Sequence, residues 1–287
     1  MNTSAVQINI PSGQPRGTLT GGQRIGMATK AFIAIMHRDL VVTLRELISF
    51  LVQQLLQPLF FLFVFGRVLT GMGFVQGNFA SILLPGIVSL TIVLTAMQAI
   101  SLGMVLELGY SREIDDRLLA PLPVELVAIE KVIFAALRGL LAGVIVFPLG
   151  YIILGNGYQV RGDEIPLLIG LMILMSIMGA ALGLVIGTVV KPEQLGVMFS
   201  LIFAPLIFTG CIYNPWGTLG GLKWFQIVTL FNPLTYASEG LRAAMLPASY
   251  TQAIPPLGLG WVLLGLCVSC IVFLVIGMRT FRGRVIG

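Results

Sequence analysis

The chain has 287 residues, of which 57% are hydrophobic and only 10% charged, with a mean hydropathy of +0.98. Soluble domains carry about a quarter charged residues, so this composition excludes an ordinary water-soluble domain and predicts an all-α polytopic membrane protein. The net charge of +5 then bears on orientation in a bilayer rather than on nucleic acid, and no nucleic-acid partner is expected.

Residues 1–26 are polar and rich in Gly, Ser, Thr and Pro. They lack the apolar stretch of a signal peptide and read as a flexible cytoplasmic tail. Over 27–46, Ile33, Met36, Leu40, Leu44 and Leu47 recur at helical spacing, and Lys30, Arg38 and Arg45 lie largely away from that stripe. This pattern predicts an amphipathic helix lying along the membrane interface. His37 is the only histidine, and a lone histidine with no partner cluster is poor evidence for a metal site or a general base.

A spanning helix needs about 20 mostly apolar residues. Six segments meet this, at about 47–68, 81–106, 132–154, 165–190, 195–212 and 257–278, which makes 47–278 a six-span transmembrane domain. The basic tail 279–287 follows, with Arg279, Arg282 and Arg284. Most Lys and Arg residues fall on the side of the two termini, so the termini are expected in the cytoplasm. Cys267 and Cys270 lie inside the last apolar run, where packing is the expected role and neither a disulfide nor a metal site is implied.

Polar residues inside the spans tend to face partners or cavities. The first span carries Gln53 and Gln57, one helical turn apart, with Gln54 and Pro58 beside them. The second carries Thr91, Thr95 and Gln98 on one face. Two accounts stay open for these five, bonding between helices and lining of a translocation path. Arg138 lies near the start of the third span, where it can snorkel to headgroups. Gly179, Gly183 and Gly187 in the fourth span permit close helix packing, within one protomer or across a dimer. Residues 213–235 carry Tyr213, Trp216, Trp224, Phe225 and Phe231 but are interrupted by Pro215 and Pro233. They predict two short helices dipping into the outer leaflet, either as an outer gate or as interfacial anchors. Glu239 and Arg242, at i and i+3, predict a local salt bridge.

Charge gathers in one place, EIDDRLLAPLPVELVAIEKV at 113–132, between the second and third spans. Pro121 and Pro123 break any continuous helix, so a short helix is expected from about Ser111 to Ala120, with the next span starting near Val124. Acidic and leucine residues interleave there, which suits a docking surface. There is no second aspartate cluster for a metal-diphosphate enzyme, and no G-x-x-x-x-G-K-[ST] for ATP. No catalytic residues, metal or cofactor are expected on this chain.

Together, six spans, a leading amphipathic helix, the cytoplasmic E-x-D-D-R-L-L-A-P-L-P and the stretch FNPLTYASEGLRAAM at 231–245 resemble the ABC-2 family of permeases, the membrane halves of ABC exporters. The subgroup most resembled exports drugs and nodulation factors. The resemblance covers about 25–285. It implies a coupling helix at about 111–121, with Glu113, Asp115, Asp116, Arg117, Leu118 and Pro121 contacting a separate ATPase subunit that holds ATP and Mg2+. It also implies a second permease copy as partner, in a homodimer, and a bacterial inner-membrane location. The apolar spans suit an amphipathic, lipid-like or drug-like cargo. The rival function, an ion-gradient-driven secondary transporter or channel, would want charged groups at mid-membrane.

Overall fold

In hydrocarbon an unpaired backbone group has no water to bond, so apolar runs become helices, which satisfy their own N–H and C=O groups. The computed structural model describes residues 47–73, 79–107, 124–155, 158, 160–247 and 256–286, with scattered positions between 33 and 45. Helix α1 spans Leu47–Phe61 and continues as a π-helix over Leu62–Val68 and a last turn at Leu69–Gly71. The long helices α2 (Phe79–Leu106), α3 (Val124–Leu154) and α4 (Ile165–Val189) follow. Then come α5 (Leu195–Thr209), a 3-10 turn at Trp216–Gly221, α6 (Lys223–Thr229), α7 (Pro233–Met245) and α8 (Leu259–Ile286). The expected interfacial helix lies mostly outside the described residues. Those described between 33 and 45, among them Ile33, Met36, His37 and Arg45, are helical.

Among the described residues five helices are long and apolar enough to cross a membrane: α1 with its continuation, α2, α3, α4 and α8. The fifth expected span, 195–212, differs. Helix α5 has 15 residues, about 22 Å at 1.5 Å per residue, less than the ~30 Å hydrocarbon core. It stops because side chains of α7 take its last carbonyls. Asn232 Nδ2 donates to Leu206 O at 2.9 Å, Thr235 Oγ1 to Thr209 O at 3.0 Å and Ser238 Oγ to Gly210 O at 2.8 Å. The chain then turns through Cys211, whose φ of +52° is left-handed. Helix α3 starts at Val124, where the ribbon's prolines put the start of the third span, so it includes the residues ahead of the apolar run at 132–154. The last span runs longer than expected, because α8 carries Arg279, Arg282 and Arg284 within the helix rather than in a tail.

Helix α2 is the axis of the fold. Apart from the face that carries Thr91, Thr95 and Gln98 it is largely apolar, which suits a helix enclosed by neighbours, and most of its length from Ala80 to Val105 is buried. Helices α3 and α4 flank it, and glycine lets both approach closely. A Cβ on Gly179 would lie 2.7 Å from the Val93 carbonyl oxygen. On Gly183 it would strike the Met97 carbonyl, and on Gly187 it would reach Met104 Cβ at 2.8 Å. The glycine stripe of α4 therefore packs inside one protomer, against α2. From the other flank, Gly139 of α3 rests on the Ile92 carbonyl and Ala96.

At the end of the bundle that holds residues 107 and 124–131, Lys131 Nζ pairs with Glu107 at 2.7 Å, tying the last turn of α2 to α3. Thr188 and Thr280 hydroxyls meet at 2.7 Å, and Arg284 Nη1 donates to the Thr188 carbonyl at 2.6 Å. The two ends that bracket the charged ribbon are thus fixed to one another by the Glu107–Lys131 pair, while α4 and α8 are tied together beside them.

Candidate functional site

Helix α1 lies against α2 along a polar seam. The seam exists because four-residue spacing puts Gln53 and Gln57 on one face of α1, and Thr91, Thr95 and Gln98 share a face of α2. The structure gathers all five around one cleft of about 220 Å³, with Gln54, Pro58, Leu90, Leu94 and Leu102. Thr95 Oγ1 donates to Gln54 Oε1 at 3.2 Å across the two helices. Thr91 Oγ1 instead donates to its own helix at Ile87 O, 2.8 Å away. Pro58 has no N–H to offer the Gln54 carbonyl, so the backbone adds an acceptor of its own beside the cleft. The cleft continues into a second space of about 260 Å³ that shares Gln53, Gln54, Thr95, Gln98 and Leu102 and adds Ser49, Phe50, Ala99, Gly103 and Arg138. Chemically it offers amides, hydroxyls and one guanidinium between apolar walls. That set can bind polar groups by hydrogen bonding.

The sequence reading lets Arg138 snorkel to the headgroups. In the structure it is half-buried, with its guanidinium carbon 4.4 Å from the centre of the Phe50 ring and its side chain on the cleft wall. Phe50 and Ser49 were missed altogether. Their signal was available, since both stand within one turn of Gln53 on α1.

At the opposite end, the expected hairpin is the 3-10 turn and α6. Trp216 Nε1 donates to Gln226 O at 3.3 Å, and Gln226 Nε2 returns a bond to Trp216 O at 3.1 Å. Tyr213 stacks against Phe61 and Phe65 of the first helix, with ring centres 5.7 and 5.3 Å away. Trp224 packs edge-on with Phe225 at 5.6 Å. Trp224 and Phe231 are 66% and 86% exposed. The five aromatics therefore divide. Tyr213 contacts α1, Trp216 locks the hairpin, Phe225 is half-buried beside Trp224, and Trp224 and Phe231 face outward.

The salt bridge expected of Glu239 and Arg242 is present and more deeply set than a local pair. Arg242 Nη1 meets Glu239 Oε1 at 2.7 Å, and the side chains are 2% and 0% exposed. Two buried charges need further partners to offset lost hydration, and they have them. Glu239 Oε1 accepts the Trp216 N–H at 2.9 Å, and Oε2 the Leu257 N–H at 3.4 Å. Arg242 donates to the carbonyls of Ile212 at 2.5 Å and Ile82 at 3.3 Å. One ion pair thus ties α7 to the hairpin, to the turn after α5, to the start of α2 and to the approach to α8. Gly86 completes it, because a Cβ there would collide with the same Ile212 carbonyl. The motif at 231–245 is a clasp. Asn232 caps α7 by accepting Leu234 N–H at 2.9 Å, and Tyr236 Oη donates to Leu230 O at 2.8 Å.

Beyond this clasp, the backbone N–H of Arg161 donates to Met245 O at 3.0 Å. Its guanidinium donates to Asp163, and this bond holds the Asp163 carboxyl below the usual range and pushes Arg161 up. Glu113, Asp115, Asp116, Arg117, Leu118 and Pro121 lie outside the described residues.

The family model described as "ABC-2 type transporter" matches residues 30–246, well over half of the chain. The match takes in the cleft, the charged ribbon and the clasp. No curated protein matches the chain.

Proposed function

This chain belongs to the ABC-2 type transporter family and is a multi-pass permease component of an ABC transporter; from that premise we propose that it moves an amphipathic molecule outward, driven by ATP hydrolysed on a separate subunit. The observation that carries the proposal is the polar cleft between α1 and α2, a hydrogen-bonding seam between two largely apolar helices. Gln53, Gln57, Thr91, Thr95 and Gln98 line the path in this reading.

Force enters at the coupling helix, about 111–121, where Glu113, Asp115, Asp116, Arg117, Leu118 and Pro121 meet the ATPase subunit. The ribbon joins α2 to α3, and those helices are locked together by close glycine contact at Gly139 and by the Glu107–Lys131 pair. A push there moves a rigid unit. Helix α1 is less tightly held. Its Ile48, Val52, Leu56 and Phe60 are exposed on the face away from α2. A displacement of the α2–α3 unit against α1 opens or squeezes the seam between them. The exposed faces of α1 and α5 meet lipid or a second permease copy, and we propose a homodimer. In this arrangement α5 and the hairpin together make the sixth crossing, with the hairpin seated in the outer leaflet of a bacterial inner membrane and both termini in the cytoplasm. Tyr213, Trp216, Trp224, Phe225 and Phe231 then flank the exit.

The test is reconstitution of this chain with its P-loop ATPase partner. ATPase activity stimulated by the permease, and lost on joint charge reversal at Asp115, Asp116 and Arg117 (D115K/D116K/R117E), supports the reading. Full stimulation by that triple variant overturns it.

A further inference from the structure

Helix α8 shows one continuous face to the outside. At 3.6 residues per turn, Trp261, Leu264, Val268, Val275, Arg279 and Arg282 fall within an arc of about 60°, and all six are exposed. The other side is fixed against the bundle. Val262 and Leu266 are fully buried, Gly277 rests on Leu184, and the Thr280 hydroxyl meets that of Thr188.

The face has the order of a surface that meets a bilayer: an indole at one end, aliphatic side chains along the middle and two guanidinium groups at the other end. Arg279 stands 18 residues beyond Trp261, about 27 Å at 1.5 Å per residue. That length is close to the ~30 Å hydrocarbon core. Tryptophan and basic side chains both settle at the membrane interface, so this spacing lets the two ends of the face reach the two interfaces together. The match points to lipid as the occupant of this face.

Arg279 and Arg282, three residues apart, are neighbours on the helix surface. Arg284 is used otherwise. Its Nη1 donates to the Thr188 carbonyl at 2.6 Å and lies 3.3 Å from that of Val190, which ties the end of α8 to the end of α4. The helix therefore keeps its register past Arg279 and holds the two arginines in a fixed relation. Arg282 also stands 3.6 Å from Glu125 at the start of α3, with side chains 66% and 45% exposed. A pair so loose and so hydrated is weak, and a guanidinium with five N–H donors has others to offer. Lys191 and Glu193, just beyond α4, offset each other in charge. A phosphate diester presents one negative charge on oxygens that match the arginine fork. A zwitterionic head group brings a cation of its own, which the two arginines repel.

We propose that this end of α8 binds an anionic phospholipid, with Arg279 and Arg282 holding its phosphate and the face through Val275 and Val268 carrying an acyl chain. The site is separate from the polar cleft and does not depend on what the cleft carries.

The experiment uses the full chain in phosphatidylcholine nanodiscs with a trace of one of two photo-crosslinkable lipids. These are a phosphatidylglycerol and a phosphatidylcholine that share one diazirine-bearing acyl chain, and peptide mapping reads the label on 259–286. A basic residue near an anionic lipid surface is worth roughly a fivefold gain. The wild type is therefore expected to take about fivefold or more label from the anionic probe than from the zwitterionic one. R279Q/R282Q should remove that preference, and R279K/R282K should keep most of it, since charge carries the attraction. K223Q, in the hairpin at the opposite end, should leave it unchanged. Unlabelled phosphatidylglycerol should compete, and excess inorganic phosphate should not. If a double variant fails to fold, R279Q and R282Q singly carry the test, and each should lower the preference. A wild type without preference, a preference that survives R279Q/R282Q or both single variants, or equal loss in the Gln and Lys doubles overturns the proposal. So does a matching loss in K223Q, which would make the attraction one of overall charge. Competition by inorganic phosphate as strong as by the lipid would make this a free-anion site and refute the lipid assignment. A wild type without preference whose R279Q/R282Q variant loses stimulation of the ATPase subunit would assign the arginines to a protein contact, which refutes it as well.

Discussion

Replacing Glu239 by Gln leaves shape and volume nearly unchanged and removes one charge from a place where water does not reach. Arg242, 2% exposed, would keep its bonds to the Ile82 and Ile212 carbonyls but lose its anion. Breaking a buried pair from one side costs about 3–5 kcal/mol, because the remaining charge stays desolvated and unmatched. At roughly 2–4 °C per kcal/mol for a chain of this general size, E239Q should lower the apparent melting temperature by on the order of 10 °C. The loss should appear first at the hairpin, since the Trp216 N–H then donates to a neutral amide. The assay is thermal unfolding of the purified protein in detergent at a fixed scan rate, read by tryptophan fluorescence, with limited proteolysis of 216–229 as a local probe. The double variant E239Q/R242M removes both charges. It should be less destabilised than the two single losses predict by addition, with a coupling of about 2 kcal/mol or more. An E239Q protein that melts with the wild type, or strict additivity in the cycle, would refute the claim that this pair is a buried, interdependent clasp.

Three further outcomes follow from other contacts. G183A puts a methyl against the Met97 carbonyl and Ile100 and should cost about 1–3 kcal/mol as overpacking, whereas G196A, which meets nothing within 4 Å, should be close to neutral in the same melts. N232A removes the α7 cap and two donations, to Leu206 O and Thr209 Oγ1, and should lose about 1–2 kcal/mol or more; N232D keeps the cap acceptor and should fall between the two. For pH, the folded Asp163 carboxyl titrates below its ordinary value because Arg161 donates to it. Its contribution is therefore present above the unfolded pKa of about 4 and is lost as pH falls through the lower folded value. The small stability gap between wild type and D163N, measured at pH 6, should close near pH 2, and a gap that widens on acidification would contradict the sign.

The membrane class, the helical content and the order of the long helices were legible because hydropathy and run length are local properties of the chain. A run such as 165–190 has one low-energy answer in hydrocarbon whatever its neighbours do. The faces of Gln53, Gln57, Thr91, Thr95 and Gln98 were legible for the same reason, since helical spacing alone sets which side chains share a side. Tertiary structure decided what those faces meet. The glycine stripe at 179, 183 and 187 admits a partner in the same chain or another, and only the approach of Val93, Met97 and Ser101 chooses between them. The length of α5 was hidden because its stop signal comes from Asn232, Thr235 and Ser238, more than twenty residues downstream, which capture its final carbonyls. Arg138 shows the limit most plainly. Its sequence neighbours are compatible with snorkelling, and its place on the cleft wall depends on Phe50, which lies in another helix. A residue's own helix is written in its local sequence, whereas the charge, ring or carbonyl it faces belongs to chain that folding brings from elsewhere.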